Sequence, residues 1–590
     1  MKTNKYINIA AGVALAMGAT ACSSDYLDLA PEGVLDYEEV LTNAQGATLA
    51  VNGMCHSMYK QYANLYDYFW FNGEPWLSEY YGEVVGQDYI SLLWTMVSPS
   101  VVNWTEMDLN NTSGAQVAWT YCYYLISQAN NLITFTPKVL DAQGKPVVNA
   151  DGNEVPDIEG EYAFRYAQAL CFRAHAYFRL MQIYGPRWED RIKDDGTACL
   201  TVPLRLVYQE PTDNLDCPLS TMEEVMDQIY ADLNQAIQLF EDSRMSRAYS
   251  WEPDLQICKG LYARAAMLRN DYQTAQQMAH DARQGYEIMS SEDYEKGFAE
   301  PTSEWMWVSS GDAQGLYYAS FGATYACNGA YPCLWGNIGA GAINNDLINQ
   351  ASPYDYRARL YFAPQNIATS LRGRFWTDAC NSTTMDINSP NGQLHSTFVS
   401  FAQQQYSRVA DRGWYPPYTY QGNPMGEGTT ICTAQFGAQF KFWGMDGYST
   451  SFFPFMRASE MLLVEAEAAY QNGNQSLALS LLKELNDHRY AIPYDETPSG
   501  LALLDAIKIS RRLELWGEGF SWFDFKRWNE PIVRNAWEKS NTQSGNWPRQ
   551  DVGYNNGVFE TDMNRGWRWR IPSTEYNYNH AIDQAEATGN

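Results

Sequence analysis

The sequence is poor in histidine and has none of the short motifs that mark common catalytic sites. Six histidines are spread over 590 residues without the spacing of metal ligands. The zinc-protease, serine-hydrolase, phosphate-loop and EF-hand signatures are all missing. The sequence therefore predicts a protein that is not an enzyme and needs no cofactor. It leaves a structural calcium ion open without assigning a site to it.

Positive charge is also scarce. The 40 Lys and Arg residues face 69 Asp and Glu residues, which gives a formal net charge of -29. Binding to DNA or RNA requires cations that neutralise a row of phosphates, so this balance argues against a nucleic-acid partner. Because 45% of the residues are hydrophobic and only 18% are charged, the chain is not disordered and its acidity is spread over a folded surface.

The cysteines contain no Cys-x-x-Cys pair, which excludes zinc-ribbon and thioredoxin-like sites. Cys199 with Cys217, and Cys327 with Cys333, are close enough in sequence to pair in an exported protein, and both pairings stay open. Four other cysteines lie in helical patterns and are predicted to be buried as small hydrophobic residues. They are Cys55, Cys122, Cys171 and Cys258.

Long apolar runs are lacking as well. The stretch from Ile7 to Ala21 follows two lysines and is too short to span a bilayer. It ends in Ala19-Thr20-Ala21-Cys22, which resembles a bacterial lipobox. The resemblance implies a signal peptide of residues 1–21 and lipid attachment at Cys22, so that the mature protein is anchored to a membrane. The alternative is an ordinary secretory signal followed by a chance cysteine.

What the chain has in abundance is helical periodicity. Residues 113–135, 160–184 and 220–241 each predict a helix, the last with Ser220 or Thr221 as its N-cap and Glu224 following. Residues 255–285 and 461–488 predict helix–turn–helix pairs.

Both pairs carry two alanines that stand 12 residues apart, at 263 and 275 and at 466 and 478. Small residues at this spacing let two antiparallel helices approach closely, and the pattern resembles the tetratricopeptide repeat. The alternative is a chance pair of Ala-rich helical hairpins.

Residues 300–455 have a different composition, rich in Gly, Asn, Ser, Thr, Tyr and Trp, with little helical periodicity. The predicted fold is therefore mainly α, a tetratricopeptide-like helical-repeat scaffold with a long loop-rich, mixed α/β insertion region. The predicted parts are the signal peptide, a helical-repeat part at 22–299, the insertion at 300–455 and a C-terminal repeat at 456–590. Long insertions on a helical scaffold often bind ligands, so the insertion is the predicted ligand region.

Several short motifs follow one another along the chain. The most specific runs from Arg511 to Trp528 and contains paired arginines, Glu-Leu, Glu-Gly, Phe-Asp and Arg-Trp. Others lie at residues 124–130, 173–185, 457–468 and 571–579. Their order and spacing resemble the SusD/RagB family of nutrient-binding outer-membrane lipoproteins from Bacteroidetes, from residue 22 to about residue 584.

This resemblance implies a glycan-binding lipoprotein of the outer membrane that faces the cell exterior. The expected partners are an oligosaccharide and a TonB-dependent, SusC-like transporter that receives it. Two alternatives stay open: a relative of the same architecture that captures peptides, and an exported glycosidase.

Aromatic residues in polar loops are the candidate ligand contacts, because Trp and Tyr rings stack on the apolar face of a sugar. The chain holds 42 Tyr and 20 Trp. The resemblance points to two loop regions, before the helix at 113–135 and after a predicted strand at 304–308. The alternative is that these large side chains fix long loops to the scaffold. The predicted ligand residues are Asp88, Tyr89, Trp94, Asn103, Trp104, Tyr317, Tyr331 and Trp335.

The C-terminal motif reads as structural. Arg511, Glu514 and Glu518 share one face of a helical pattern, and we expect them to form an ion-pair ladder with Arg512 or Arg527. Trp119, Trp305 and Trp307 are expected to be core or packing residues because their surroundings are helical or strand-like.

Overall fold

The computed structural model describes a large part of the chain between residues 40 and 583. The described residues are 40–59, 73–90, 104–150, 152, 154–209, 215–298, 300–309, 342–363, 388, 390–412, 419–420, 423–424, 437–443, 452–534, 559–560 and 567–583.

Helices form most of this described structure. The α-helix Glu74–Leu77 continues directly into a π-helical turn, Ser78–Val84. In chain order the α-helices are α1 (Ala44–Ser57), α2 (Glu74–Leu77), α3 (Ser113–Phe135), α4 (Gly160–Tyr184), α5 (Met222–Ser243), α6 (Leu255–Leu268), α7 (Tyr272–Ala282), α8 (Ser291–Tyr294), α9 (Asn345–Ile348), α10 (Pro390–Tyr406), α11 (Ala458–Gln471), α12 (Gln475–Asp487), α13 (Leu501–Glu514), α14 (Ser521–Trp528) and α15 (Ser573–Tyr578).

The strands are short and pair antiparallel in twos within the described residues. The pairs are β1 with β5, β2 with β3, β4 with β8, β6 with β7, and β9 with β10. Their bounds are β1 (Tyr89–Ile90), β2 (Leu200–Pro203), β3 (Leu219–Thr221), β4 (Trp305–Val308), β5 (Ala342–Ile343), β6 (Thr419–Tyr420), β7 (Asn423–Pro424), β8 (Pro454–Arg457), β9 (Val533–Arg534) and β10 (Phe559–Glu560).

The helices expected from periodicity are present. Helices α3 and α4 have the predicted bounds, and α5 begins after a complete capping box in which Thr221 and Glu224 each bond the other's backbone N–H. Such a box satisfies two N–H groups that a helix start leaves without partners. Local sequence therefore fixes both where these helices lie and where α5 starts.

The two predicted helical hairpins are also confirmed, as α6–α7 and α11–α12. Ala263, Ala275, Ala466 and Ala478 are all fully buried between the helices. Consecutive helices from α3 to α7 pack side by side, and α7 then packs against α11, which packs against α12. The helical array is thus continuous across the segment between α7 and α11.

The segment between α7 and α11 contains β4 near its beginning and β8 at its end, and these two strands pair as a β-ribbon. Trp305 of β4 lies opposite Arg457 of β8, and the Ala458 N–H donates to the Glu304 carbonyl at 2.9 Å. Helix α10 was not predicted, because its 17 residues mix polar and aromatic types without a clear apolar stripe. Much of the predicted insertion lies outside the described residues.

A buried group of charges joins the end of α13 to the ribbon; we call it the signature cluster. Glu514 accepts hydrogen bonds from Arg357 at 3.2 Å, Arg457 at 3.0 Å and Arg489 at 2.9 Å. Burial alone would raise the pKa of the Glu514 carboxyl, but Arg489 and Arg457 hold that pKa well below its usual range. The cluster therefore ties three distant chain segments to one carboxylate.

The expected ladder along the C-terminal motif is wrong. Helix α13 ends at Glu514, so Glu518 leaves the helical face and pairs with Lys441 at 2.7 Å and with Arg457. Arg511 pairs with Asp524 at 2.7 Å. The partners are set by tertiary packing rather than by spacing along one helix.

Arg512 and Arg527 likewise reach other elements. Arg512 pairs with Asp88, and Arg527 pairs with Glu467 at 2.6 Å. Both arginines therefore join α13 and α14 to other parts of the scaffold.

The described cysteines are all free. Cys199 donates to the Asp190 carbonyl at 3.3 Å and Cys217 to the Leu204 carbonyl at 3.6 Å, so a Cys199–Cys217 disulfide is absent. Cys327 and Cys333 lie outside the described residues. The four cysteines predicted to be buried are buried: Cys55, Cys122, Cys171 and Cys258.

Among the described helices, none is both long and apolar enough to cross a bilayer. Trp119, Trp305 and Trp307 are 5%, 3% and 0% exposed, as expected for packing residues.

Candidate functional site

An open groove lies between α3, residues 205–209 and 215, and α15. Its volume is about 540 Å³. Five of its sixteen described lining residues are aromatic, and we call it the aromatic groove. The aromatic lining residues are Trp119, Tyr123, Tyr124, Tyr208 and Tyr578.

Helix α3 supplies one wall because of how it starts and how its residues are spaced. Thr112 caps the helix by accepting from the Ala115 N–H at 3.2 Å. Trp119 and Tyr123 are four residues apart, as are Thr120 and Tyr124, so each pair lies on one side of the helix. The first pair faces the floor of the groove and the second pair its rim.

The opposite wall is the short helix α15, which follows Pro572. Glu575 and Tyr578 are three residues apart and therefore share a face. Tyr578 is 79% exposed and Tyr124 on the other wall is 38% exposed. Two tyrosine side chains on opposite walls thus present accessible aromatic surface.

The floor is a hydrogen-bonded junction centred on Glu575. Its carboxylate accepts from Arg205 Nη2 at 3.0 Å, from Trp119 Nε1 at 3.2 Å and from Asn579 Nδ2 at 2.8 Å. Arg205 also donates to the Leu215 carbonyl at 2.8 Å. We call this the Glu575 junction, and it fixes the position of the aromatic floor.

Tyr123 strengthens the floor from the side of α3. Its hydroxyl donates to the Pro203 carbonyl at 2.7 Å. Burial raises the pKa of the Tyr123 hydroxyl well above its usual value, with Tyr177 and Glu575 acting in the same direction. The hydroxyl therefore stays neutral and keeps donating across the physiological pH range.

The groove is suited to binding rather than to acid–base chemistry. Glu575 is the one carboxylate among the described lining residues, and its oxygens are engaged by three donors. Glycoside hydrolysis ordinarily uses two carboxyl groups that flank the scissile bond. Among the described residues, no group of His, Cys, Asp and Glu side chains is arranged to hold a metal ion.

Three of the predicted ligand residues lie inside the protein and away from this groove. Asp88 accepts from Arg512 at 2.6 and 2.8 Å, and the Tyr89 ring stacks on Trp516 with centroids 5.9 Å apart. Trp104 donates to the Val85 carbonyl at 2.9 Å.

The Trp104 side chain is only 1% exposed, so its ring offers no accessible face for stacking. In this structure Asp88, Tyr89 and Trp104 connect a loop to the scaffold, which was the alternative interpretation. A ligand role for them stays a prediction.

The other predicted residues fall outside the described part of the chain. They are Trp94, Asn103, Tyr317, Tyr331, Trp335 and the lipid-attachment residue Cys22. Their roles stay predictions.

Sequence reasoning missed the aromatic groove although two of its motifs were recognised. The motifs at 124–130 and 571–579 contain Tyr124 and Tyr578, but they are more than 400 residues apart in the chain. A usable signal was the outward row Thr120, Tyr124 and Ser127 on α3, where a large aromatic ring interrupts a polar face. Nothing local to either motif indicated that the two would meet.

Two sequence profiles match the chain. The profile of the SusD family matches residues 348–587, and a profile described as starch-binding associating with outer membrane matches residues 25–254. A SusD-like protein from Bacteroides ovatus is 27% identical over 253 residues, which are 43% of this chain. The match spans only 37% of that relative's length.

Solved structures share the fold over nearly the whole chain. A SusD-like carbohydrate binding protein from Bacteroides vulgatus has a TM-score of 0.65 at 17% identity, covering 92% of this chain and 98% of its own. Surface glycan-binding protein A from Bacteroides thetaiotaomicron has a TM-score of 0.57 at 15% identity, covering 92% and 98%. These likenesses confirm the mainly helical, tetratricopeptide-like fold.

Proposed function

Because this chain belongs to the SusD/RagB family, we propose that it is a cell-surface lipoprotein that captures oligosaccharides in the aromatic groove and passes them to a TonB-dependent, SusC-like transporter. The family binds carbohydrate, and one matching profile carries an outer-membrane association. The lipobox-like segment before Cys22 supports the lipid anchor, and the family resemblance alone supports the transporter.

The observation that carries the binding proposal is the pair of exposed tyrosines on opposite walls of the groove. A sugar ring has an apolar C–H face and hydroxyls around its edge. Tyr124 and Tyr578 offer aromatic faces to the first, and Thr120, Ser127 and Gln209 line the groove with groups suited to the second. If stacking removes about 50–80 Å² of apolar surface, each ring contributes roughly 1–2 kcal/mol.

The volume and the open rim of the groove suit a chain of sugars rather than a buried small molecule. A volume of about 540 Å³ holds a few rings, while the open rim lets a longer chain extend into solvent. The Glu575 junction keeps the floor rigid, so little side-chain entropy is lost when a ligand binds.

The test is calorimetric titration of the mature protein against a panel of plant, host and bacterial oligosaccharides, with a set of peptides as the contrasting ligands. We expect binding to at least one glycan and none to the peptides. Tyr124→Ala and Tyr578→Ala should each weaken that binding.

The matched control is Tyr354→Ala, because Tyr354 is also half-exposed, at 48%, but does not line the groove. Its affinity should equal that of the wild type. If the wild type binds peptides and no glycan, the proposed function is wrong. If it binds glycan and the groove variants bind as tightly as the control, the site lies elsewhere.

The anchor and the transporter are tested separately. Cys22→Ala should release the protein from the outer-membrane fraction, and wild-type protein purified in mild detergent should carry a large barrel protein with it. Retention of Cys22→Ala at the wild-type level contradicts the anchor. Repeated recovery of the monomer alone contradicts the complex.

A further inference from the structure

A second, much smaller cavity lies between α4, α6, α13, α14 and β8, and it borders the signature cluster at Glu518. Its volume is about 50 Å³, enough for a few water molecules or one small ion. It belongs neither to the aromatic groove nor to the loops that carry the predicted ligand residues.

Arg511 lines this cavity with a donor that has no acceptor. Its Nε donates to Asp524 Oδ2 at 2.7 Å, which holds the guanidinium in place. Its Nη1 is buried, and no described residue accepts a hydrogen bond from it. Arg511 is 4% exposed. A buried charged donor without an acceptor is costly, so a partner is expected in the cavity.

The other arginines and the glutamates that line the cavity already have partners. Arg179 is paired with Glu74, Arg264 with Glu460 and Arg527 with Glu467, so each of these three is balanced by its own carboxylate. Glu518, which also lines the cavity, is engaged by Lys441 and Arg457 of the signature cluster. No lining carboxylate is left over for a further cation.

Lys526 also lines the cavity. Its amino group donates to the carbonyls of Gln182 and Gly185 at 2.7 and 2.8 Å, and no described carboxylate forms an ion pair with it. Burial, together with Arg568 and Arg187, lowers the pKa of Lys526 well below its usual value, which favours the uncharged amine. The donor that lacks an acceptor in the cavity is therefore Arg511 Nη1.

Phenylalanine rings complete the lining. The Arg511 and Arg264 guanidiniums lie 5.1 and 5.4 Å from the centroid of the Phe520 ring, and the Arg179 guanidinium lies 5.4 Å from that of Phe523. The ring faces lie against the guanidiniums and keep bulk water away from them, and in such a place of low polarity a guanidinium attracts an anion more strongly.

We propose that this cavity binds a small monovalent anion of the size of chloride, with Arg511 Nη1 as its principal donor. The anion completes the hydrogen bonding of Arg511 and links α13 to α14 and β8. Because the cavity volume is only about 50 Å³, the site selects against large organic anions.

The direct test is crystallographic. Crystals of the mature protein are grown or soaked in sodium bromide, and anomalous data are collected at the bromine edge. We expect a peak within hydrogen-bond distance of Arg511 Nη1. If the cavity shows only water, with no bromide peak there, the proposal is wrong.

The solution test compares thermal unfolding in sodium chloride with that in sodium gluconate at equal ionic strength. We expect chloride to raise the Tm of the wild type by about 1–3 °C. Arg511→Gln should lose that difference, whereas Arg191→Gln, which removes a partly exposed arginine that does not line the cavity, should keep it. An equal Tm in the two salts for the wild type overturns the proposal. If Arg511→Gln does not fold, the bromide experiment on the wild type decides.

Discussion

The signature cluster and the aromatic groove use carboxylates in the same way but differ in what they expose. Glu514 and Glu575 each accept hydrogen bonds from donors that come from distant parts of the chain. Glu514 is fully buried, whereas the junction around Glu575 is bordered by Tyr124 and Tyr578, which are 38% and 79% exposed.

Motifs that look alike in sequence thus contain two kinds of residue: those that build the scaffold and those that a ligand can reach. Glu514 accepts four side-chain hydrogen bonds, so it holds distant segments together and has no lone pair left for a ligand. The aromatic surface beside Glu575 is accessible and can bind, because its position is already fixed. In this protein the motif at 511–528 builds the scaffold, and those at 124–130 and 571–579 also shape a surface.

The largest expected effect comes from removing the charge at the centre of the cluster. Glu514→Gln leaves Arg357, Arg457 and Arg489 short of a buried counter-charge, and we expect a loss of about 3–5 kcal/mol in the free energy of unfolding. Chemical denaturation measures it. Glu484→Gln is the control, since Glu484 is 41% exposed and pairs with Arg283, and it should cost under about 1 kcal/mol. Similar losses of unfolding free energy in the two variants would contradict the special role of the buried Glu514.

Trp104 tests the boundary between scaffold and binding residues. Trp104→Ala removes an indole that contacts Trp522 and Trp567 and donates to Val85, so we expect a loss of about 3–4 kcal/mol in stability. Thermal and denaturant unfolding measure it, and glycan affinity of the folded fraction should hardly change. Normal stability with lost affinity would instead restore Trp104 to the binding site.

Sequence reasoning succeeds for features that depend on residues close together in the chain. Helices α3, α4 and α5 follow from apolar periodicity and a capping box, which are properties of residues three or four apart. The hairpins α6–α7 and α11–α12 follow from paired alanines at a fixed spacing. All of these signals are local, so one sequence suffices to read them.

Hydrogen bonds between residues that are far apart in the chain could not be predicted from local patterns. Glu514 reaches Arg357 across 157 residues, and Trp119 reaches Glu575 across 456 residues. Spacing along one helix suggested a ladder through Arg511, Arg512 and Glu518, but the turn after Glu514 breaks that helical face. The aromatic groove exists only once α15 has packed against α3 and residues 205–209, so no local pattern contains it.

Glu74 is a second buried carboxylate, and acid titration tests how much it contributes to stability. Burial would raise the pKa of Glu74, but Arg179 and His175 lower it to about 2. Since this is below the ordinary value of 4.5, Glu74 contributes stability above about pH 4.5 that is lost as the pH falls towards 2. Glu74→Gln should flatten the pH dependence of the unfolding free energy there by about 2–3 kcal/mol in total. Parallel curves for the two proteins, measured at constant chloride, would contradict this.

The smallest expected effect comes from removing the hydroxyl of Tyr578. It tests which part of a sugar the exposed wall of the groove recognises. Tyr578→Phe keeps the aromatic face and removes the hydroxyl, so glycan affinity should stay within about threefold of the wild type, less than about 0.7 kcal/mol. Tyr578→Ala removes the face and should weaken binding about 5- to 30-fold, the equivalent of roughly 1–2 kcal/mol.

Neither Tyr578 variant should change the melting temperature measurably, because a side chain that is 79% exposed leaves no cavity when it is shortened. Calorimetric titration and thermal melts on the same samples separate the two quantities. If Tyr578→Phe weakens binding as much as Tyr578→Ala does, the hydroxyl rather than the ring face makes the contact. The groove would then recognise the hydroxyl edge of a sugar at this wall, and stacking would rest on Tyr124 alone.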